Sequence, residues 1–560
     1  MNQLFEQWLQ HSLYKDELTS ITHDENEIKD RFYQYVEFGT GGMRGKLGAG
    51  TNRINSHTIR RVAFGLAKQI QAQGVVAQSR GVVIAYDTRH FSQQFAYETA
   101  GVLAAHGIQA YVFSESRPTP ELSFAVRYLH AFAGVVITAS HNPKQYNGFK
   151  IYGEDGAQLT PAFADEIVEH MENIDNIFDI PCLSKNELLE TVHFTEILTK
   201  IDDAYATALK TLQLETAIHN NLTLVYTPLH GAGLVPTMRG LHDFGFTNVY
   251  LEMEQAKQDG EFPTVTYPNP EEGAAFELAI ALGKKHDADL LLATDPDADR
   301  LGVAVRSEDG YQLLTGNQLG AMLLHYILMQ HTTRGTLPTN GALLKTIVTS
   351  EFGTAIANHF GVTTIDTLTG FKFIAEQIAS FEETGNYKFL FGYEESYGYL
   401  AGDFVRDKDA VQIALLTAEM AAYYKAHNKT LLHVLEELYE QFGRYEEALL
   451  SFTFEGFEGQ QKIAHIMENL RQHAPSEIAQ ERVIAIEDYS IQKRFENGIE
   501  YDLTLPKANV LKYFLESETW VCVRPSGTEP KIKFYIGVKG QNVEKYRETI
   551  TDWVKAPSHL

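Results

Sequence analysis

The stretch Ala133-Gly134-Val135-Val136-Ile137-Thr138-Ala139-Ser140-His141-Asn142-Pro143 indicates the fold of this chain, because a continuous apolar run is followed at once by a polar turn. A strand buried in a parallel sheet has such a run, and open α/β sheets bind their ligands beyond the carboxyl ends of the strands. The sequence therefore predicts an α/β architecture with Ser140 at the edge of the sheet where chemistry takes place.

Strands and helices alternate around this stretch. Residues 81–86 and 109–113 are apolar and β-branched, whereas residues 92–106 have helical periodicity and end before Gly107. This order is typical of a βαβ unit. The first 35 residues are predicted to be helical, and residues 173–203 are predicted to form an irregular, acidic passage into a second domain.

A buried strand that ends in a polar turn is predicted twice more. Residues 288–293 lead to Asp295, and residues 388–391 lead to Glu394. A long helical stretch is predicted over 407–438, and an α+β region of strands with two helices over 443–560. The separations between the turns match the sizes of single domains, which predicts four domains, at 1–203, 204–317, 318–440 and 441–560.

The composition excludes several classes of partner. The chain has 47 basic and 73 acidic side chains, a net charge of −26 that repels nucleic acid and anionic lipid, so no nucleic-acid or membrane partner is expected. An anionic substrate would have to be held by local cations and backbone N–H groups.

The two cysteines, Cys182 and Cys522, are too far apart in sequence to indicate a disulfide framework or a thiolate zinc site. With no signal-peptide pattern at the N-terminus, a cytoplasmic location is expected.

The turn that begins at Asp295 carries carboxylates at alternate positions, Asp295, Asp297 and Asp299. Hard divalent cations prefer oxygen ligands, and a short loop of this kind predicts one Mg²⁺ per chain. An EF-hand is excluded because Arg300 and Arg306 occupy positions that its loop reserves for other residues. The alternative is an acidic turn that is merely solvated or caps a helix.

Ser140 is predicted to carry a phosphoryl group. A Ser/His nucleophile pair is disfavoured, because neighbouring strand residues point apart and no G-x-S-x-G elbow is present. A phosphoserine beside the metal would instead complete its coordination, and His141 or Lys150 could move a proton. The alternative is a serine that only caps the end of the strand.

The turn Arg524-Pro525-Ser526-Gly527-Thr528 combines a guanidinium, two hydroxyls and a flexible glycine, which predicts a site for a phosphate monoester, although a plain β-turn is the alternative. Glu394 and Ser396 could grip sugar hydroxyls, or could form part of a solvated turn. Neither a dinucleotide fingerprint nor a P-loop is present, so the phosphate donor is expected to be the substrate or the enzyme itself.

Four of these motifs, in this order, resemble those of the α-D-phosphohexomutases over nearly the whole chain. The resemblance implies three consecutive α/β domains with mixed sheets and a C-terminal α+β domain, arranged around a central cleft. It implies that Ser140 is the phosphoserine and that it shares the Mg²⁺ ion with Asp295, Asp297 and Asp299. The residues implied to line the transfer site are His141, Lys150, Arg44, Arg300 and Lys408.

The resemblance also implies how the substrate is held. Glu394 and Ser396 correspond to the sugar-gripping loop, although Tyr393 stands between Gly392 and Glu394. Thr369 and Gly370 correspond to a loop of the third domain. The non-reacting phosphate would be bound by Arg524, Ser526, Gly527 and Thr528.

The activity implied is the interconversion of α-D-glucose 1-phosphate and glucose 6-phosphate, with glucose 1,6-bisphosphate as intermediate and activator. A mutase for mannose or pentose phosphates is the closest alternative, because the hydroxyl-reading loop does not choose a sugar by itself. A non-catalytic sugar-phosphate sensor is a further alternative. The sequence does not indicate the oligomeric state.

Overall fold

The computed structural model describes residues 2–39, 41–217, 221–454, 456–526 and 531–555. The chain forms two compact units. Unit 1 contains Met1–Gly316, Ala375–Gly392 and Ser396–Leu431, and unit 2 contains Asn317–Ile374, Tyr393–Glu395 and Leu432–Leu560. The boundaries of the four predicted domains stay a prediction.

The first part of unit 1 is built on a mixed seven-stranded sheet of order β1-β2-β6-β5-β3-β4-β7. Its strands are β1 Phe38–Gly39, β2 Gly42–Lys46, β3 Val82–Tyr86, β4 Ala110–Phe113, β5 Ala133–Ile137, β6 Tyr146–Tyr152 and β7 Phe194–Ile197. Strands β5, β3, β4 and β7 run parallel, and β5, β6, β2 and β1 are joined by antiparallel pairings. All residues of β3 and β5 are buried, as their apolar sequences predict.

Ten α-helices belong to this part among the described residues: α1 Asn2–His11, α2 Lys15–Ser20, α3 Glu25–Phe32, α4 Ser56–Ala72, α5 Val75–Arg80, α6 Ser92–Ala105, α7 Thr119–Tyr128, α8 Pro161–Glu172, α9 Lys185–Glu190 and α10 Thr199–Lys210. The helical prediction for the first 35 residues is confirmed by α1 to α3. The prediction of an irregular passage over 173–203 is wrong, because this segment contains α9, β7 and the start of α10. Strand β7 has few apolar residues, since it is an edge strand with half-buried and exposed side chains.

The second part of unit 1 has a five-stranded mixed sheet of order β12-β11-β10-β8-β9. Its elements are β8 Leu224–Thr227, α11 Leu234–Asp243, β9 Val249–Leu251, α12 Met253–Ala256, α13 Glu277–His286, β10 Leu290–Thr294, β11 Leu301–Ser307 and β12 Gly310–Leu313. Strand β10 lies in the middle of the sheet and is fully buried, and it leads directly to Asp295.

The next elements are α14 Gly316–Thr333, β13 Gly341–Thr346, α15 Glu351–His359, β14 Thr363–Thr367, α16 Phe371–Thr384, β15 Lys388–Glu394, β16 Gly398–Leu400, α17 Ala410–Ala426 and α18 Leu431–Phe442. Strands β13 and β14 pair in parallel within unit 2. The single long helical stretch predicted over 407–438 is wrong in one respect. Helix α17 ends at Ala426, and Asn428, two residues later, has a φ of 58°, a left-handed conformation that ends a helix.

The C-terminal region is an antiparallel sheet with two helices. Its elements are β17 Tyr445–Thr453, α19 Gly456–Gln472, β18 Glu477–Ile478, β19 Glu481–Asp488, β20 Lys493–Glu496, β21 Ile499–Asp502, β22 Leu511–Leu515, β23 Trp520–Pro525, β24 Lys531–Lys539 and α20 Glu544–Lys555. The main strands follow the order β17-β24-β23-β22-β19-β20-β21. Buried side chains of both helices, such as Leu470 and Ile550, share a core with the sheet. The predicted fold class, α/β followed by α+β, is confirmed.

None of the helices within the described residues is long and apolar enough to cross a membrane.

Candidate active site

Ser140 lies in the turn after β5, in unit 1, and is 3% exposed. Its φ of 51° places it in the left-handed region, so the alternation of a strand no longer applies. Its Oγ donates a hydrogen bond to Asp295 Oδ2 at 2.7 Å and lies 3.1 Å from His141 Nδ1. The expectation that the Ser140 and His141 side chains point apart is therefore wrong, because the strand ends before them.

The three aspartates lie together after β10, and each is at most 2% exposed. One potential ligand atom from each, of Asp295, Asp297 and Asp299, lies within 4.8 Å of the other two. The Asp295 Oδ1 atom accepts hydrogen bonds from the backbone N–H groups of Asp299 and Arg300, both at 3.0 Å, which folds the loop around it. Burial and the two neighbouring carboxylates raise the pKa of Asp295 well above its usual range.

The donor set fits a hard divalent cation. The Oδ1 atoms of Asp297 and Asp299 are buried and have no hydrogen-bond donor among the described residues. Buried carboxylate oxygens without a donor are costly, and a cation held by oxygen ligands removes that cost. Together with one oxygen of Asp295, they offer a set of three carboxylate oxygens of the kind that Mg²⁺ prefers.

Two buried lysines neutralise part of this charge. Lys150 Nζ lies 3.1 Å from Asp297 Oδ2 and 3.7 Å from Asp299 Oδ2, and Lys408 Nζ lies 3.1 Å from the same Asp299 oxygen. Burial alone would raise the pKa of Asp299, but the Lys408 and Lys150 ammonium groups outweigh burial and hold this pKa below its usual range. Asp299 is therefore ionised.

The remaining residues of the predicted transfer site lie around Ser140. Burial lowers the pKa of His141 well below its usual range, and the Arg300 and Arg44 cations lower it further, so that the imidazole is neutral. Arg44, on β2, donates to Asn142 Oδ1 at 2.8 Å, and Arg300 pairs with Glu271. The structure thus brings together all six residues that the sequence assigns to phosphoryl transfer.

A buried arginine that the sequence analysis missed holds the serine turn. The Arg89 guanidinium donates to the carbonyl oxygens of Ser140 and Asn142, and to those of Pro143 at 2.9 Å and Tyr146 at 3.1 Å. Asp87 pairs with it at 3.1 Å. Asp87 and Arg89 directly follow the buried strand β3, and this position beside the end of β5 was a signal that could have identified them.

The predicted substrate-binding residues are distributed over both units. In unit 2, Glu394 Oε1 accepts a hydrogen bond from the backbone N–H of Gly370 at 3.0 Å, and the adjacent Thr369 hydroxyl has no hydrogen-bond partner among the described residues. Ser396 belongs to unit 1. Tyr393 is fully buried, so the residue inserted in the predicted motif is part of the core.

Arg524 is the last residue but one of β23, in unit 2, and is half-buried. The Ser526 N–H donates to Lys531 O at 2.7 Å, and Gly527 and Thr528 lie outside the described residues. Near Arg524 is a carboxyl that the sequence analysis did not single out. Burial and the Glu394 carboxylate raise the pKa of Glu395 to about 7, and the Arg524 cation partly opposes this rise.

Comparisons with known proteins agree with this architecture. The models of phosphoglucomutase/phosphomannomutase α/β/α domains I, II and III match residues 35–178, 203–310 and 315–442. The phosphoglucomutase of Staphylococcus haemolyticus is 39% identical over 548 residues, 97% of this chain and 98% of its own. The phosphoglucomutase of Staphylococcus aureus strain USA300 is 40% identical over 529 residues, 94% of this chain and 93% of its own.

A solved structure shares the fold. The phosphoglucomutase/phosphomannomutase family protein of Burkholderia thailandensis superposes with a TM-score of 0.67 at 18% identity, over 93% of this chain and 97% of that one.

Proposed function

Because the chain belongs to the phosphoglucomutase/phosphomannomutase family of α-D-phosphohexomutases, we propose that it interconverts α-D-glucose 1-phosphate and glucose 6-phosphate. Membership of this family makes the protein an enzyme that transfers phosphoryl groups and isomerises its substrate. Glucose is proposed because relatives about 40% identical over almost the whole chain are phosphoglucomutases.

The observation that carries the proposal is the contact of the Ser140 hydroxyl with Asp295, inside a buried group of three aspartates and two lysines. We propose that Ser140 is phosphorylated in the active enzyme. A Mg²⁺ ion held by Asp295, Asp297 and Asp299 would supply the positive charge that phosphoryl transfer requires.

In the first half-reaction, a free hydroxyl of the sugar monophosphate attacks the phosphorus of phosphoserine 140. The new P–O bond forms as the bond to Ser140 Oγ breaks, and the proton that the attacking hydroxyl loses is delivered to Oγ through the neutral His141 imidazole, which accepts one proton as it gives up another. His141 is assigned to the proton at Oγ, since its Nδ1 lies 3.1 Å away. Lys150, held between two carboxylates, is assigned to charge stabilisation rather than proton transfer.

The product of this step is glucose 1,6-bisphosphate. The second half-reaction returns the other phosphoryl group to Ser140, so the same residues act in reverse, and added bisphosphate activates any enzyme that has lost its phosphoryl group. Glu394 and Ser396 are proposed to bind sugar hydroxyls, together with the loop of Thr369 and Gly370. The non-reacting phosphate is proposed to be bound by Arg524, Ser526, Gly527 and Thr528.

The test couples glucose 1-phosphate conversion to glucose 6-phosphate dehydrogenase, with Mg²⁺ and a trace of glucose 1,6-bisphosphate. We expect turnover by the native chain, loss of turnover in Ser140→Ala, and native turnover in Ser79→Ala, which changes an exposed serine that bonds only to Val76 O among the described contacts. Intact-mass analysis should find a phosphoryl adduct on the native chain and none on Ser140→Ala. Turnover that persists in Ser140→Ala would refute the phosphoserine mechanism.

Mannose 1-phosphate and ribose 1-phosphate, assayed in parallel with matched coupling enzymes, test the choice of sugar. A higher kcat/KM for either than for glucose 1-phosphate would contradict the proposal. If the native chain turned over none of the three, the sensor alternative would replace it.

A further inference from the structure

The two oxygens of the Asp297 carboxylate have different surroundings. Oδ2 accepts a hydrogen bond from the Thr119 hydroxyl at 2.8 Å and lies 3.1 Å from Lys150 Nζ. Oδ1 is buried and has no donor among the described residues. One oxygen is therefore bound within the protein, and the other is left for a cation.

Thr119 contacts Asp297 twice. Besides the hydroxyl contact, its backbone N–H donates to the Asp297 carbonyl oxygen at 2.9 Å. Thr119 is the first residue of α7 and is completely buried. The helix thus holds both the main chain and the carboxylate of an aspartate that lies 178 residues later in the sequence.

Lys150 fixes the orientation of the Asp297 carboxylate less precisely than Thr119 does, because its ammonium lies between Asp297 Oδ2 and Asp299 Oδ2 and pairs with both. The Thr119 hydroxyl is a single donor, and its β-branched side chain has few rotamers. It is also uncharged, so it fixes the carboxylate without repelling a cation. Partners of metal ligands commonly set ligand orientation and metal affinity in this way.

We propose that Thr119 is a positioning residue for the divalent cation. Its hydroxyl donates a hydrogen bond to Asp297 Oδ2, which would leave Oδ1 to bind the cation. The inference rests on the proposed function for the role of the cation in phosphoryl transfer. Thr119, on α7 beside the sheet that carries Ser140, would thereby join the residues that form the metal site in the Asp295 loop.

The test uses Mn²⁺ alone as the probe, titrated into the full chain without sugar phosphate, with free Mn²⁺ measured by electron paramagnetic resonance. Thr119→Val replaces the hydroxyl by a methyl group of similar size, and we expect Mn²⁺ affinity to fall by about tenfold. Thr119→Ser keeps the hydroxyl and should retain affinity within about threefold of native. Thr99→Val is the matched control, since Thr99 is an equally buried threonine whose hydroxyl donates to Phe95 O, and it should bind Mn²⁺ as the native chain does.

Native Mn²⁺ affinity in Thr119→Val would overturn the inference, as would an equal loss in Thr119→Ser, because a purely structural threonine would not be rescued by serine. Circular dichroism checks that each variant is folded, and Thr119→Ala takes the place of Thr119→Val if the latter does not fold. A native chain that binds no Mn²⁺ would also overturn it. Failure of the proposed function would give a different result: the chain would bind Mn²⁺ but would turn over no sugar phosphate.

Discussion

At the scale of single residues, the proposed transfer site depends on groups that hold Ser140 and its neighbours in place without contacting the atoms proposed to react. Arg89 is the clearest of these, because one guanidinium binds four carbonyl oxygens of the turn around Ser140. A planar, five-donor group can do this, whereas the ammonium of lysine is a point charge with three donors.

We therefore expect Arg89→Lys to lower kcat by roughly 10- to 100-fold, because a small displacement of a reacting group has an effect of this size. The measurement is the coupled assay at saturating Mg²⁺. Arg80→Lys is the matched control, since Arg80 also donates to two carbonyl oxygens, of His130 and Ala131, but lies away from Ser140. Equal kcat values for the two variants would contradict this role for Arg89.

We expect Glu395 to make phosphate binding depend on pH. Its carboxyl, with a pKa raised to about 7 by burial and by Glu394, is protonated below pH 7 and ionised above it. Its Oε2 lies 3.4 Å and 3.3 Å from the hydroxyls of Thr346 and Thr349. Once ionised, it offsets the charge of Arg524, which we propose binds phosphate.

The ratio of the native KM to the KM of Glu395→Gln should therefore rise between pH 6 and pH 8, by a few-fold. Taking the ratio removes the ionisation of the substrate phosphate, which both proteins experience equally. A ratio that stays constant over this range would show that the Glu395 charge does not reach the bound phosphate.

At the scale of elements, helix α14 packs closely on the end of β15. A Cβ on Gly320 of α14 would lie 2.4 Å from the Tyr393 ring, and a Cβ on Gly353 of α15 would lie 2.5 Å from the Tyr393 hydroxyl oxygen. The Tyr393 ring is therefore packed closely against both α14 and α15. The tyrosine before Glu394 is thus explained by packing within unit 2.

Gly320→Ala should destabilise the protein by roughly 1–3 kcal/mol, because overpacking outweighs the gain of up to about 1 kcal/mol from replacing a helical glycine. The urea midpoint measures this. Gly273→Ala is the control, as a Cβ there would meet nothing within 4 Å, and it should not lower the midpoint. A stabilised Gly320→Ala would show that Tyr393 can move.

At the scale of the whole molecule, we expect the group of buried carboxylates to link the binding of the proposed metal ion to stability. Three aspartates within one loop repel each other, and two lysines offset only part of that charge. A ligand that binds only the folded state stabilises it by about 2.7 kcal/mol at a concentration of 100 times its Kd.

Adding Mg²⁺ should accordingly raise the Tm of the protein, and chelation with EDTA should lower it. Differential scanning calorimetry measures both changes. Asp297→Asn removes one ligand charge, so its Tm should respond much less to Mg²⁺. If the Tm of the native chain were the same in Mg²⁺ and in EDTA, the aspartates would not form a cation site.

The sequence by itself determined the class of fold and the places along the chain of the residues that we propose to react. Buried strands such as β3, β5 and β10 are continuous apolar runs, and each polar turn after them can be recognised locally. Strand β7 was not predicted, because an edge strand has no such apolar run. The break at Asn428 was not predicted either, because a single left-handed residue ends an otherwise helical pattern.

Only the tertiary structure decided which side chains contact and support the residues that we propose to react. Nothing near Thr119 in the sequence points to Asp297, and nothing near Arg89 shows that its four acceptors lie in the turn of Ser140. Local sequence determines secondary structure through periodicity and turn residues, whereas these contacts join segments that only the packing of whole elements brings together.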